Sequence, residues 1–235
     1  MPRPFDVLED RLLRAGIAPR HVRRYLRELK DHLADLTADS NEATAFARLG
    51  NIDDLVKAMT DRREFYAWTA RAPWATLLIG PVFAVFLLDL AITFAVVQWN
   101  IALGLDPASW KSGPMPHAWF PAVAQHILTI GSHTAPMWVG LGIAFLAARQ
   151  RVRMSWPIVG LSVVSFFGAL VMMGGYWPDH PGGAAALYMN VGQFAFTRFA
   201  DPIGVLHFAS VALVPWCVTM AAYALLRIRN NIAFK

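Results

Sequence analysis

Four ionisable side chains fall inside long apolar runs of this chain: Asp89, His126, His133 and His207. Such residues are costly in hydrocarbon and usually face the interior of a helix bundle. At ~1.5 Å of rise per residue, Asp89 lies slightly outward of the middle of its run and His133 close to the middle of its own. His126 and His207 each lie about six residues from the outer end of theirs. His126 and His133 are seven apart and share a helix face. Three kinds of chemistry suit an acid with up to three histidines. Two level histidines could hold a haem, or with Asp89 a transition metal, although no H-x-x-x-H spacing supports either. Asp89 and His133 could carry protons or an ion. The bland reading is interhelical hydrogen bonding that orders the bundle. The bland reading is preferred, and no cofactor is assigned.

The elements that must position these groups are membrane spans. Trp74–Gln98 reads WATLLIGPVFAVFLLDLAITFAVVQ, with Asp89 as its single formal charge. A run of ~20 apolar residues is what an α-helix needs to cross ~30 Å of hydrocarbon. Three more spans follow, at about 120–148, 156–176 and 202–226, the second with Pro136 inside it. Gly131, Ala135, Gly160, Ser165 and Gly168 would let these helices approach closely. The 235 residues are 56% hydrophobic and only 16% charged, against ~25% charged in ordinary soluble domains. Residues 1–72 nearly balance their charge, with 13 Lys/Arg and 12 Asp/Glu. The rest of the chain has fewer acids than bases, so the basic pI of about 9.7 comes mainly from span ends. That pattern belongs to membrane orientation and argues against nucleic-acid binding.

Orientation follows from those bases. Arg62, Arg63 and Arg71 precede the first span, Arg149, Arg151 and Arg153 join the second and third, and Arg227, Arg229 and Lys235 follow the fourth. The other two connections hold only Lys111 and Arg198. Both termini and the 149–154 turn are therefore expected in the cytoplasm, and the segments 100–118 and 177–201 outside. Trp74 and Trp156 suit the inner interface, and Trp99, Trp119 and Trp177 the outer one. Residues 183–200 are apolar enough to suggest a fifth span, but that would put the basic tail on the wrong side. A short helix lying on the outer surface or folded over the bundle is expected instead. His117 and His180 fall in Pro-rich outer loops. The N-terminus is charged, so no signal peptide is expected. Cys217 stands alone and rules out an intrachain disulfide.

Residues 1–66 are expected to form a helical head, followed by a linker at 67–73, a four-helix transmembrane domain at 74–227 and a cytoplasmic tail at 228–235. Phe5, Leu8 and Leu12 recur at helical spacing, with Gly16 as a stop. Pro19 suits the first turn of a second helix, whose Val22, Leu26, Leu29, Leu33 and Leu36 make one apolar stripe. Arg20, Arg23, Arg24 and Arg27 share another face, suited to an acidic partner or anionic lipid. The alternative is a solvated helix face. Asp39–Glu42 resembles a capping box before a third helix carrying Ala43, Phe46, Ala47 and Leu49, and Gly50 ends it. Asn51 can cap a fourth helix, with Asp53 and Asp54 in its first turn. A head this small is near the lower limit for independent folding, so it is expected to lean on a partner or on the membrane.

The segment Tyr25–Met59 carries YLRELKDHLADL, EATAFARLG and NIDDLVKAM. It resembles the small helical HAAS domain, or permease prefix domain. The shared positions are Glu28, Leu29, His32, Leu33, Arg48, Leu49 and Gly50, over roughly a quarter of the chain. The resemblance implies a docking or regulatory head before membrane spans, in proteins that accompany PadR-like regulators or transport permeases, and it supplies no catalytic residue. No nucleophile elbow, phosphate loop, zinc-type Cys/His set or H-E-x-x-H motif occurs.

The fold class is thus an all-α membrane protein with four transmembrane helices and an N-terminal cytoplasmic helical domain. The leading functional expectation is a multi-pass inner-membrane signalling or regulatory protein without catalytic activity, whose head docks a protein partner. The first alternative is a small transporter or permease subunit working through the Asp/His residues. Four spans are few for an independent transporter, so that role would call for a homo-oligomer. The second alternative is a haem- or metal-binding membrane protein.

Overall fold

The computed structural model describes residues 4–39, 41–103, 119–177, 186–191 and 202–232. The chain is mostly helical and forms two compact units. One comprises residues 1–77 with 143–158 and 222–235; the other comprises 78–142 and 159–221.

The first unit holds the head. Its helices are α1 (Pro4–Arg14), α2 (Pro19–Asp39), α3 (Glu42–Leu49) and α4 (Ile52–Thr60), followed by the four-residue α5 (Trp68–Arg71). Each boundary has a local cause. After α1 the chain turns through Gly16 at φ +91, where a Cβ would also lie 2.7 Å from that of Ala70, so glycine is needed twice over. The Asn41 side chain accepts from the Thr44 amide at 2.9 Å and caps α3. Asn51 does the same for α4 through the Asp53 amide. The Asn51 cap was expected; at α3 the cap is Asn41, two residues beyond the position that a capping box over 39–42 would give it. Gly50 turns between these helices at φ +94. Leu8, Leu12, Leu13, Ile17, Val22, Leu26, Leu29 and Met59 form the core, with Phe65 and Tyr66 packed against it. Leu33 and Leu36, at the far end of the α2 stripe, are only half-buried. Ala18 donates to the Phe65 carbonyl at 2.8 Å and Ala67 to that of Gly16 at 2.9 Å, closing the head on itself.

The same unit contains the basic ends of two long helices. Asp10 of α1 pairs with Arg151 at 2.8 Å, and the Thr69 hydroxyl donates to the Gln150 side chain. Head and 149–154 turn are thus joined by an ion pair and a hydrogen bond. Segment 67–73, read as a linker, supplies one of them.

The second unit is built from α6 (Gly80–Ala102) and the larger parts of α7 (Trp119–Arg149), α8 (Ser155–Leu170) and α9 (Pro202–Ile232), with strands β1 (Val171–Tyr176) and β2 (Ala186–Val191). Helix α7 is its axis. Ile92 of α6 fills the space a side chain at Gly131 would need, the Pro136 ring sits against Gly168 of α8, and Thr219 of α9 sits against Gly140. The small residues at 131 and 168 do what their positions suggested. Trp216 adds a hydrogen bond to Ser162 at 3.0 Å between α9 and α8. Outward-facing positions remain apolar: Phe83, Leu87, Leu90 and Phe94 on α6, Ile130 and Trp138 on α7, and Leu213 and Val214 on α9 are all exposed. A coat of this kind is disfavoured in water and suits lipid.

Among the described residues, three stretches are long and apolar enough to cross a membrane: Ala75–Ala102, Trp119–Arg149 and Phe208–Asn230. This is the build of a membrane protein. The expected third span differs. Helix α8 has 16 residues, about 24 Å at ~1.5 Å per residue, which falls short of the hydrocarbon thickness. Residues 171–176 leave the helix and pair antiparallel with 186–191, from Val171 opposite Val191 to Tyr176 opposite Ala186. Gly174 and Gly175 lower the helix preference here, and Tyr188 and Leu187 lie over them so closely that a Cβ at either glycine would clash. The protein is therefore not wholly α-helical, and 186–191 is a strand where a surface helix was expected. Helix α9 also runs through Ile232, into the segment read as a tail. The rest of 183–200, and the expectations for Lys111, His117, His180 and Arg198, lie outside the described residues.

Candidate functional site

Asp89 sits on the buried face of α6. Val85, Asp89, Val96 and Asn100 are all buried there, Asp89 completely. These residues fall within about 40° of Asp89 around the helix at 100° per residue. Neither carboxyl oxygen has a hydrogen-bond partner among the described residues. Thr93, one turn on, donates to the Asp89 carbonyl at 3.0 Å and also reaches the sulfur of Met173 at 3.2 Å. Strand β1 thus lies one helical turn from the carboxyl. Gln125 of α7 accepts from the Gly175 amide at 3.1 Å and fastens the same strand. Around that end Val96, Phe120, Ala124, Leu128 and Met173 form a core, flanked by Trp99 and Trp177. The Phe120 ring stands 5.0 Å from Trp99 and 6.0 Å edge-on from Trp177.

The register of α6 on α7 fixes the depth of the other groups. The two helices run antiparallel, with Ile92 against Gly131 and Val96 clustered with Ala124 and Leu128. Asp89, three residues before Ile92, is therefore level with about residue 134, within ~2 Å of His133 along the axis. Around α7 they part. Ala124, Leu128 and Gly131 face α6, and His126 and His133 lie roughly 140° or more away at 100° per residue. Asp89 and His133 thus share a depth on opposite sides of α7. His133 is half-buried. His126 is exposed, with Nδ1 2.7 Å from the carbonyl of Ala122 on its own helix. A carbonyl only accepts, so Nδ1 donates and Nε2 is the atom left to bind a ligand. His207 lies on α9; its side chain is outside the described residues. No group of three or more His, Cys, Asp or Glu suited to a metal occurs among the described residues.

The four α2 arginines are all exposed. Arg24 pairs with Glu28 at 2.8 Å, Arg20 reaches the His21 ring at 3.1 Å and Arg23 the Pro19 carbonyl at 3.4 Å. His21 packs on Phe65 with centroids 4.9 Å apart. Partial burial, and then the charges of Arg20 and Arg24, hold its pKa below the usual histidine value.

Two features escaped sequence reasoning. Asn100 is buried on the Asp89 face, and its spacing of 11 from Asp89, close to three full turns, was the available signal. The arginines at 149–153 and 227–229 were read only as orientation signals, yet they line cavities with α1 and α2. No sequence pattern marks that, because the lining comes from three separate segments. Protein-family models, curated proteins and solved structures show no match to this chain.

Proposed function

We propose that this is a four-pass inner-membrane protein with a regulatory or signalling role, whose cytoplasmic HAAS-like head docks a partner protein. In this reading α8 and β1 together complete the third crossing, both termini are cytoplasmic, and the Arg-rich helix ends lie on the inner side. The observation that carries it is the division of labour on α2. Val22, Leu26 and Leu29 are buried in a core that the head completes by itself, while Arg20, Arg23, Arg24 and Arg27 remain exposed. A basic face not consumed by folding suits an acidic protein surface. The test places a photo-crosslinking residue at position 20 or 27 in cells. One protein should be captured at both positions, and the capture should vanish when Arg23 and Arg24 are reversed to Glu. Capture of lipid alone, or capture insensitive to reversal, would sink the docking role.

Asp89 favours a second reading, a transporter or permease subunit. A fully buried carboxyl without a hydrogen-bond partner among the described residues is a functional candidate by default in a membrane. It would bind a proton or a cation, with His133 at the same depth across α7. In that case Asp89→Asn abolishes ion- or proton-coupled uptake in proteoliposomes while leaving thermal unfolding unchanged. Unimpaired uptake, or a protein that moves no ion at all, removes this reading.

A further inference from the structure

The Arg-rich end of the first unit contains two adjoining cavities, each of about 400 Å³. Arg14, Arg151, Arg153 and Arg227 line one; Arg23, Arg149, Arg151 and Arg229 line the other. Both share Ala148, Arg151 and Asn230. We propose that these cavities hold the phosphodiester headgroup of an anionic glycerophospholipid.

The charge balance is the first argument. Seven arginines converge, while Glu9 is the one carboxylate among the lining residues. Asp10 neutralises part of the set, pairing with Arg14 at 2.7 Å and Arg151 at 2.8 Å. Arg227 donates to the Tyr223 hydroxyl at 2.8 Å, a neutral partner. No carboxylate pairs with Arg23, Arg149, Arg153 or Arg229 among the described residues. Guanidinium forks in such surplus match a phosphate, which they bind in a bidentate manner.

The second argument is that the site is built. Arg151 adopts φ +49, unusual for a residue with a side chain. Its guanidinium forms an ion pair with Asp10 and, at 3.1 Å, donates to the Asn230 carbonyl, while Asn230 donates back to the Ala148 carbonyl at 3.1 Å. These bonds tie α1, the α7–α8 turn and the end of α9 around the cavities. Charges that served orientation alone would need no such frame.

Location selects the lipid over a soluble phosphate. The apolar stretches Trp119–Arg149 and Phe208–Asn230 end here, where hydrocarbon gives way to headgroups. Phe145 and Leu226 line the second cavity, and Phe145, Leu146, Leu225 and Ile228 are exposed beside it. Acyl chains can lie along these side chains while the phosphodiester sits among the arginines, as in other basic pockets between transmembrane helices. The inference requires that these helices cross a bilayer; it does not depend on the docking role of the head.

The test uses the purified full chain in detergent, with thermal unfolding followed by tryptophan fluorescence. Phosphatidylglycerol, phosphatidylcholine and inorganic phosphate are titrated separately. Phosphatidylglycerol should raise the midpoint, and the other two should not. Arg153→Gln with Arg229→Gln should weaken its apparent affinity about ten- to thirtyfold, at ~1 kcal/mol per cation near a lipid surface. Both residues are exposed, so their truncation removes no packing. Arg20→Gln with Arg27→Gln removes the same charge outside the cavities and should leave the affinity unchanged. Equal weakening by both pairs would reduce the effect to net charge and overturn the site. An unchanged affinity in the 153/229 pair would overturn it as well, and a shift given equally by inorganic phosphate would reassign it to a soluble ligand.

Discussion

At the level of single residues, two side chains of the first unit, Arg151 and His21, give testable effects on stability. The Arg151 side chain is nearly buried, at 9% exposure, and its fork serves Asp10 and Asn230 at once. Arg151→Ala removes a charge-assisted pair and a hydrogen bond together, and should lower unfolding stability by about 2 kcal/mol. The loss stays below that of a fully orphaned carboxylate because Arg14 still pairs with Asp10. Denaturant titration in detergent measures it. His21 gives a pH signature with a defined sign. Its folded pKa lies below the unfolded value, so at neutral pH and above the residue is neutral in both states and the head has its full stability. As pH falls through the unfolded value of ~6.5, the unfolded chain takes up the proton first and stability drops. His21→Gln should flatten that part of the stability profile between pH 7.5 and 5. An unaltered profile would place the dependence elsewhere.

At the scale of elements, helix contacts rest on missing side chains. A Cβ at Gly168 would stand 1.9 Å from Cγ of Pro136, and a proline ring in mid-helix cannot move aside. Gly168→Ala should therefore separate α8 from α7 and cost about 3 kcal/mol, the upper end for overpacking. Gly142, on the same α7, meets nothing within 4 Å. Gly142→Ala should be neutral or slightly stabilising, since alanine is the better helix former. Thermal midpoints of the two variants, measured side by side, check the contrast; equal midpoints would mean that α8 does not seat against Pro136.

At the scale of the whole molecule, the distribution of bases makes a topological claim. Cysteine labelling in a Cys217→Ala background should modify position 112 or 182 in intact cells, and position 152 only after lysis. The reverse pattern would invert the orientation and with it the cytoplasmic placement of the head. The head's ties to the 149–154 turn also bear on its independence. Asp10 and Thr69 bond to Arg151 and Gln150, so the isolated head loses these partners while keeping its own core. A fragment of residues 1–77 should fold as a helical domain with a lower melting temperature than its counterpart in the full chain, measured by circular dichroism.

Whatever rests on local patterns was legible in the residues alone. Gly16, Asn41, Asn51 and the Val22–Leu26–Leu29 stripe set the helices of the head, because caps and apolar periodicity act within a turn or two. The long runs around Asp89, His133 and Pro215 set the membrane character, because spanning hydrocarbon needs length and apolarity and little else. Features that depend on partners distant in the chain emerged only from the folded arrangement. Strand β1 stands where the end of a third span was expected, because 171–176 found 186–191 to pair with, and composition alone cannot separate a short apolar strand from a helix end. Depth along the runs placed Asp89 near the level of His133, but only the seat of Ile92 on Gly131 put α7 between them. The arginines spread over residues 14 to 229 became the lining of adjoining cavities because the ion pair and hydrogen bonds of one strained residue, Arg151, drew their segments together.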